Sequence, residues 1–354
     1  VNAATQQAFR GRGGRPLLVG AVALALLGAL AVPERANLAA PVPPARWPVV
    51  EPADHKPYSQ RVPGSKAAFE LAAIPGGTYL MGGHPLEPGH RADESPRRLV
   101  RVRPFWMAMT ETTWDLYSLF MRPGLQPGRA RTPDDADALT CPSPPYIDHT
   151  FGYGAEGYPA IGISHHAAME FCRWLSRQTG RAYRLPTEAE WEWACRAGSP
   201  AAFSFGRDAR ALGDYAWFDA NSGEKPHPVG KKKPNAWGLY DMHGNAAEWC
   251  LDHYRHDSYA RFPRAEVTLA PVLLPTAARF PHVLRGGSWA DPAGRCRSAV
   301  RRGSEARWNR MDPQHPKGIW WLPEGDFVGF RVVRAVEEQP GLRGIRSKVT
   351  PKSE

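Results

Sequence analysis

The sequence predicts a mixed α+β fold with little regular secondary structure, and three observations predict it. Glycine and proline are both abundant, at 34 and 36 residues, so the chain turns often. There are 13 tryptophans, and large rings of this kind pin irregular segments to a core. Helical periodicity is confined to three short stretches, while the remaining apolar residues come in short runs between Gly, Pro and Asn. Long helical bundles and coiled coils are thereby excluded. A hydrophobic fraction of 42% supports a real core and excludes a disordered chain.

From the beginning of the chain, Leu17 to Val32 is apolar throughout, follows Arg10, Arg12 and Arg15, and ends in the small-x-small series Ala29-Leu30-Ala31. This reads as a secretory signal over residues 1–31, with an uncleaved N-terminal anchor and membrane tether through residues 17–32 as the alternative. Export, to a periplasm or cell surface, is the expectation either way. Residues 32–66 carry Pro33, Pro41, Pro43, Pro44, Pro48, Pro52 and Pro57 and read as an extended linker. The folded domain is expected over 67–336, starting near Phe69, and 337–354 reads as a basic disordered tail.

Within the domain, Phe69 to Met81 reads as strand, Pro75-Gly76-Gly77 turn and strand. Arg98 to Phe105 alternates as a further strand with apolar and basic side chains on opposite faces. The first helix is expected from about Thr113 to Met121, stopped by Pro123. The second runs from about His165 to Gln178 behind Ser164 as N-cap. The third opens on Thr187-Glu188-Ala189-Glu190, a capping box, and closes at Gly198. Cys172 and Cys195 fall on the apolar stripes of the second and third helices, where inert buried thiols are the default. Five cysteines without a CxxC indicate neither a zinc site nor a disulfide scaffold, and their odd number leaves at least one thiol free.

The formal net charge is +10, of which the three leading arginines carry three, leaving +7 beyond residue 31. Lys231 to Lys233 and the arginines between Arg285 and Arg310 supply much of the excess. No nucleic-acid motif accompanies it, so solvated lysines and loop-bound arginines are expected, not nucleic-acid binding.

Five blocks then occur in order: Ile74-Pro75-Gly76-Gly77-Thr78-Tyr79-Leu80-Met81-Gly82; Tyr183-Arg184-Leu185-Pro186-Thr187-Glu188-Ala189-Glu190-Trp191-Glu192-Trp193; Pro234 to Trp249 with Asp241-Met242-His243-Gly244-Asn245; Leu284-Arg285-Gly286-Gly287-Ser288-Trp289; and Val328-Gly329-Phe330-Arg331. Together they resemble the formylglycine-generating enzyme, or sulfatase-modifying factor, family over roughly Phe69 to Ala335. The resemblance implies a mixed α/β fold with a C-type-lectin-like core. It also implies an oxidoreductase that oxidises a sulfatase cysteine to formylglycine with oxygen and copper(I), the ion being held by two cysteines five residues apart. Here the later position is Cys296 and the earlier is Asp291. Copper(I) is soft and prefers thiolates, so a bis-thiolate copper site is not expected. Arg295 and Arg297 flank Cys296, a charge setting that would lower its thiol pKa if they faced it; the preferred reading is that both arginines point elsewhere and Cys296 is a buried leftover.

The resemblance further implies a structural calcium at Asp241, Gly244, Ala246 and Glu248, hard oxygen donors suited to that ion. A second calcium position would involve Asn221 and Ser222, but the downstream acidic ligand of the family pattern has no match before His227-Pro228-Val229. Family disulfide partners of Cys172 and Cys195 would fall at Val332 and Arg301, so both bridges are absent. His165 and His166 diverge by about 100° as neighbours on a helix and are read as a surface pair, not an iron site.

Two readings follow. One is an oxidase of a protein or peptide thiol, with Cys296 reactive and Ser288 lining the groove. The other is a non-catalytic exported module, monomeric, binding a peptide, glycan or partner protein, a sulfatase among the candidates. Insertions at Arg122 to Gly157 and Glu305 to Glu324 motivate the second, with Trp289, Trp308, Ile319, Trp320 and Trp321 expected to floor a groove.

Overall fold

The computed structural model describes residues 49–50, 54–121, 148–264 and 266–351. The expected signal, most of the linker, residues 122–147 of the first insertion, and Cys141 lie outside them. In chain order the elements are β1 (Val49–Val50), β2 (Tyr58–Arg61), β3 (Ala68–Ile74), β4 (Gly76–Met81), β5 (Arg98–Val102), β6 (Phe105–Ala108), α1 (Trp114–Met121), α2 (His165–Thr179), α3 (Glu188–Arg196), β7 (Ala247–His253), β8 (Thr268–Leu269), β9 (His282–Arg285), β10 (Arg302–Gly303), β11 (Val328–Gly329) and β12 (Val333–Ala335). The strands form three four-stranded sheets in the orders β1-β4-β5-β8, β10-β9-β7-β11 and β12-β6-β3-β2.

β3 and β4 are separated only by Pro75, yet they join different sheets, β3 pairing β2 and β6 while β4 pairs β1 and β5. Proline donates no backbone hydrogen bond, so it suits the point where the chain leaves one ladder for another. In β5, Val100 and Val102 are buried while Leu99 and Arg101 face outward, so the alternation holds but Leu99 lies on the solvent side.

α2 starts at Ser164, whose side chain accepts from Ala167 N, and ends at left-handed Gly180. α3 carries the expected capping box, Thr187 accepting from Glu190 N and Glu190 from Thr187 N. Its C-cap is left-handed Ala197, one residue before the expected Gly198. Every residue of α3 is buried, including Glu188, Glu190, Glu192 and Arg196. The acids are tolerated because arginines reach each of them, two of these from distant segments. Arg285 pairs with Glu192, Arg301 with Glu188 at 2.5 Å and Arg184 with Glu190 at 2.7 Å. The Arg285 and Arg301 pairs tie β9 and the segment before β10 to α3, and Arg196, within α3, also takes Glu192 at 2.8 Å.

The structure corrects four expectations. The linker ends earlier, because Tyr58 to Arg61 pair with β3 and Val62 is buried in the core. Residues 337–351 are packed, since Leu342 and Val349 belong to the core cluster and Glu338 pairs with Arg184. His165 and His166 are buried: His165 stacks on His282 with centroids 3.7 Å apart, and His166 meets Trp320 edge-on. Trp308, Ile319, Trp320 and Trp321 are core residues, so they build the interior, not an open groove floor. Among the described residues, Cys172, Cys195, Cys250 and Cys296 are all free and buried, and no helix is long and apolar enough to cross a membrane.

Candidate functional site

β9 delivers the Gly286-Gly287-Ser288-Trp289 loop to the surface. Gly286 and Gly287 have φ of 91° and 70°, the left-handed region that glycine enters freely. A Cβ on Gly287 would stand 2.9 Å from Cys296 Sγ and 3.0 Å from Arg295 O. The loop therefore lies directly on Cys296, and only glycine permits that approach. A short 3₁₀ turn, Ala293–Arg295, then leads into Cys296.

Ser288 donates its hydroxyl to Asp291 Oδ2 at 2.7 Å, and Asp291 N–H donates to Ser288 O at 3.1 Å. Arg302 Nη1 stands 4.0 Å from the same carboxylate. The Arg302 guanidinium also lies over the rings of Phe327 (4.5 Å) and Trp308 (4.9 Å), an arrangement that favours the cation. Trp289 donates its indole N–H to Asp326 O at 3.4 Å and meets Tyr153 edge-on, and Tyr153 in turn donates to Asp326 Oδ2 at 3.2 Å. Asp291, Arg295 and Arg302 line one recess, and Trp289, two residues before Asp291, packs on Tyr153 from another loop.

Cys296 is fully buried, and its thiol is pushed well above the ordinary value by burial first and then by the Asp291 and Asp219 carboxylates. The flanking arginines do not lower it, in line with the preferred reading of a buried leftover thiol. Arg297 turns away to a bidentate pair with Glu94, at 2.7 and 2.8 Å, and to Glu87 at 3.0 Å. The site thus offers one protonated thiol and one carboxylate already held by Ser288. No group of three His, Cys, Asp or Glu among the described residues is arranged to hold a metal. Copper(I) does not fit this donor set.

The set read as a calcium site is also rearranged. Glu248 is buried in a bidentate pair with Arg331 (Nη2 to Oε1, 2.7 Å) and accepts from the Trp191 indole at 2.8 Å. Its charge is therefore spent, and it cannot serve as the expected ligand without breaking that pair. Asp241 Oδ2 accepts from Gly230 N at 2.7 Å, but Oδ1 is buried without a partner. Glu111, which the sequence reading missed, lies within reach of Asp241 and also has a partnerless buried oxygen, Oε2. Burial raises both carboxyls, and the neighbouring Asp241 charge raises Glu111 further. The pair is one cation short, a proton or a metal ion.

Gly244 and Ala246 lie in the turn between these acids. A Cβ on Gly244 would strike Trp217 O at 2.2 Å. Asn221 and Ser222 are engaged within their own loop, Asn221 Oδ1 accepting from Phe218 N and Ser222 O from the His227 ring. Neither is left open for an ion.

A family model described as "Sulfatase-modifying factor enzyme 1-like domain" matches residues 60–336. A formylglycine-generating enzyme from Mycobacterium tuberculosis is 29% identical over 277 residues, covering 62% of this chain and 86% of that protein. Among solved structures, PvdO from Pseudomonas aeruginosa aligns with a TM-score of 0.55 and 26% identity over 78% of this chain and 100% of that one. Treponema denticola variable protein 1 has the same fold, with a TM-score of 0.56 and 24% identity over 79% of this chain and 99% of its own.

Proposed function

The chain belongs to the sulfatase-modifying factor family, and we propose that it is a member that binds a protein or peptide on its loop face without performing copper-dependent cysteine oxidation. The observation that supports this reading is the exchange at the cysteine pair. Asp291 is hydrogen-bonded to Ser288 and faces Arg302, while Cys296 is a fully buried, protonated thiol. A thiol in that state is neither a nucleophile nor a soft ligand. In place of a redox centre, the loop presents a carboxylate beside a cation held on aromatic rings, with Trp289 and Tyr153 next to them. Such a surface suits polar and aromatic recognition.

We place the protein outside the cytoplasm, exported through residues 1–31 and, if they are retained, tethered through 17–32. The test is incubation of the protein with copper, oxygen and a cysteine peptide bearing the sulfatase motif, followed by mass spectrometry. An unchanged peptide mass is expected. Oxygen-dependent loss of the cysteine, abolished by Cys296→Ser, would establish the oxidase reading instead.

We propose a structural calcium in altered form, held by the Asp241 and Glu111 carboxylates with Glu248 left to Arg331. The support is the pair of partnerless oxygens, Asp241 Oδ1 and Glu111 Oε2. Metal analysis should then find calcium, and EGTA should lower the melting temperature by several degrees. A metal-free protein indifferent to EGTA would leave a shared proton in that place.

A further inference from the structure

A cluster of arginines lies away from the loop face, in a cleft between the end of α2 and the segment 338–346. Its walls carry six arginines, Arg173, Arg177, Arg181, Arg184, Arg343 and Arg346, and the cleft measures ≈ 590 Å³. Three carboxylates oppose them. Arg184 takes both Glu190 and Glu338, and Arg173 takes Glu170 at 3.0 Å. Arg181 is engaged only by neutral groups, donating to Gln60 Oε1 at 3.0 Å and lying over the Tyr58 ring at 4.8 Å. Arg343 and Arg346 form no ion pair among the described residues, the nearest influence being that of Arg346 on Glu170.

These arginines are held in place by the fold. Leu342 is 2% exposed and Ile345 packs on the same core cluster, so the residues next to them are fixed along the cleft. Arg184, tied to Glu338 through Nε and Nη2, anchors the start of the segment against the loop that leaves α2. A helix C-terminus attracts one or two cations, but six arginines in one cleft exceed that need. Guanidinium groups match phosphate oxygens two at a time, and a cleft concentrates the field of like charges.

We propose that this cleft binds a phosphate-bearing anion, either a soluble compound with adjacent phosphates or the headgroup of an anionic lipid. Arg343, Arg346 and Arg181 make the contacts, and Arg184 with Glu338 sets the position of the segment.

The test uses the full chain with two probes at matched ionic strength. Inorganic pyrophosphate is titrated by calorimetry, and sedimentation compares vesicles of phosphatidylcholine alone with vesicles containing phosphatidylglycerol, so that insertion of the apolar N-terminal segment cancels. Wild type is measured beside the double variant Arg343→Ala/Arg346→Ala and beside Arg210→Ala, which removes an exposed arginine elsewhere. Thermal melts confirm that each variant is folded. The proposal expects binding to at least one probe, weakened about tenfold or more by the double variant and unchanged by Arg210→Ala. Pyrophosphate binding assigns a soluble ligand, and a preference for anionic vesicles without pyrophosphate binding assigns a headgroup. Failure of wild type to bind either probe, or equal loss in the control variant, overturns it.

Discussion

At the residue scale, burial decides what each ionisable group can do. Cys172, Cys195, Cys250 and Cys296 are all buried, and burial raises each thiol, Cys195 to about 12. None should be modified by iodoacetamide in the native state, and all four should react once the chain is denatured, as peptide mapping would record. Native alkylation of Cys296 would show an accessible thiolate and contradict the account of that site.

The buried histidines set a pH dependence of defined sign. Burial lowers His243 and His282 to about 4, and lowers His165 well below the ordinary value, the nearby His282 adding to it. Between pH 6.5 and 4 the unfolded chain binds protons that the folded one refuses, so stability is lost as pH falls through that window. The limit is about 3 kcal/mol per group of this kind, at 1.36 kcal/mol per unit. Asp252 opposes the trend. Burial, then Glu188, raises it to about 7, so its contribution is present at low pH and lost as pH rises toward 7. Denaturant melts from pH 7.5 to 4.5 should show falling stability, and His282→Phe should flatten the curve. None of this was legible beforehand. The sequence marks His165 and His166 as neighbours, but their partners His282 and Trp320 are more than a hundred residues away.

At the scale of elements, helices were readable where local chemistry closes on itself. Ser164, and the Thr187 to Glu190 box, satisfy backbone donors within three residues, so their function is written in adjacent positions. Thr187→Ala should cost about 1 kcal/mol, measurable as a shift in denaturant midpoint. The strands after Gly198 were not readable: β8, β10 and β11 have two residues each, too few to show a period, and β7 and β9 are buried on both faces and show no alternation. β3 and β4 were found, but their membership in separate sheets depends on β6 and β5, not on the turn itself. Of the acids of α3, Glu188 and Glu192 are explained in part by arginines far along the chain, Arg301 and Arg285. Glu192→Gln leaves Arg285 and Arg196 buried with reduced compensation. It should therefore destabilise by about 3 kcal/mol or more, far beyond the cap substitution, and a side-by-side urea titration would rank the two.

At the scale of the whole molecule, the family blocks were legible because they are the places where backbone and buried charge leave no freedom. Gly287 touches Cys296, Arg331 holds Glu248, and Trp191 donates to that same carboxylate. The packed segment 337–351 was missed because its sequence is basic and sparse in apolar residues, with Leu342 and Val349 as isolated anchors. Removing it by a stop after residue 336 should lower stability by at least the burial of Leu342, about 2 kcal/mol, and by more through loss of the Arg184–Glu338 pair. Equal melting temperatures for the two forms would mean that the packing contributes nothing.

The proposal of a non-oxidising role rests on the capacity of one site for one ion, and that capacity is measured most directly by titrating Cu(I) against a chromophoric chelator, with wild type and Asp291→Cys compared under nitrogen. The account predicts no competition by wild type, and stoichiometric withdrawal of one Cu(I) by the variant if the second thiol completes the pair. Tight one-to-one binding by wild type, lost in Cys296→Ser, would contradict it.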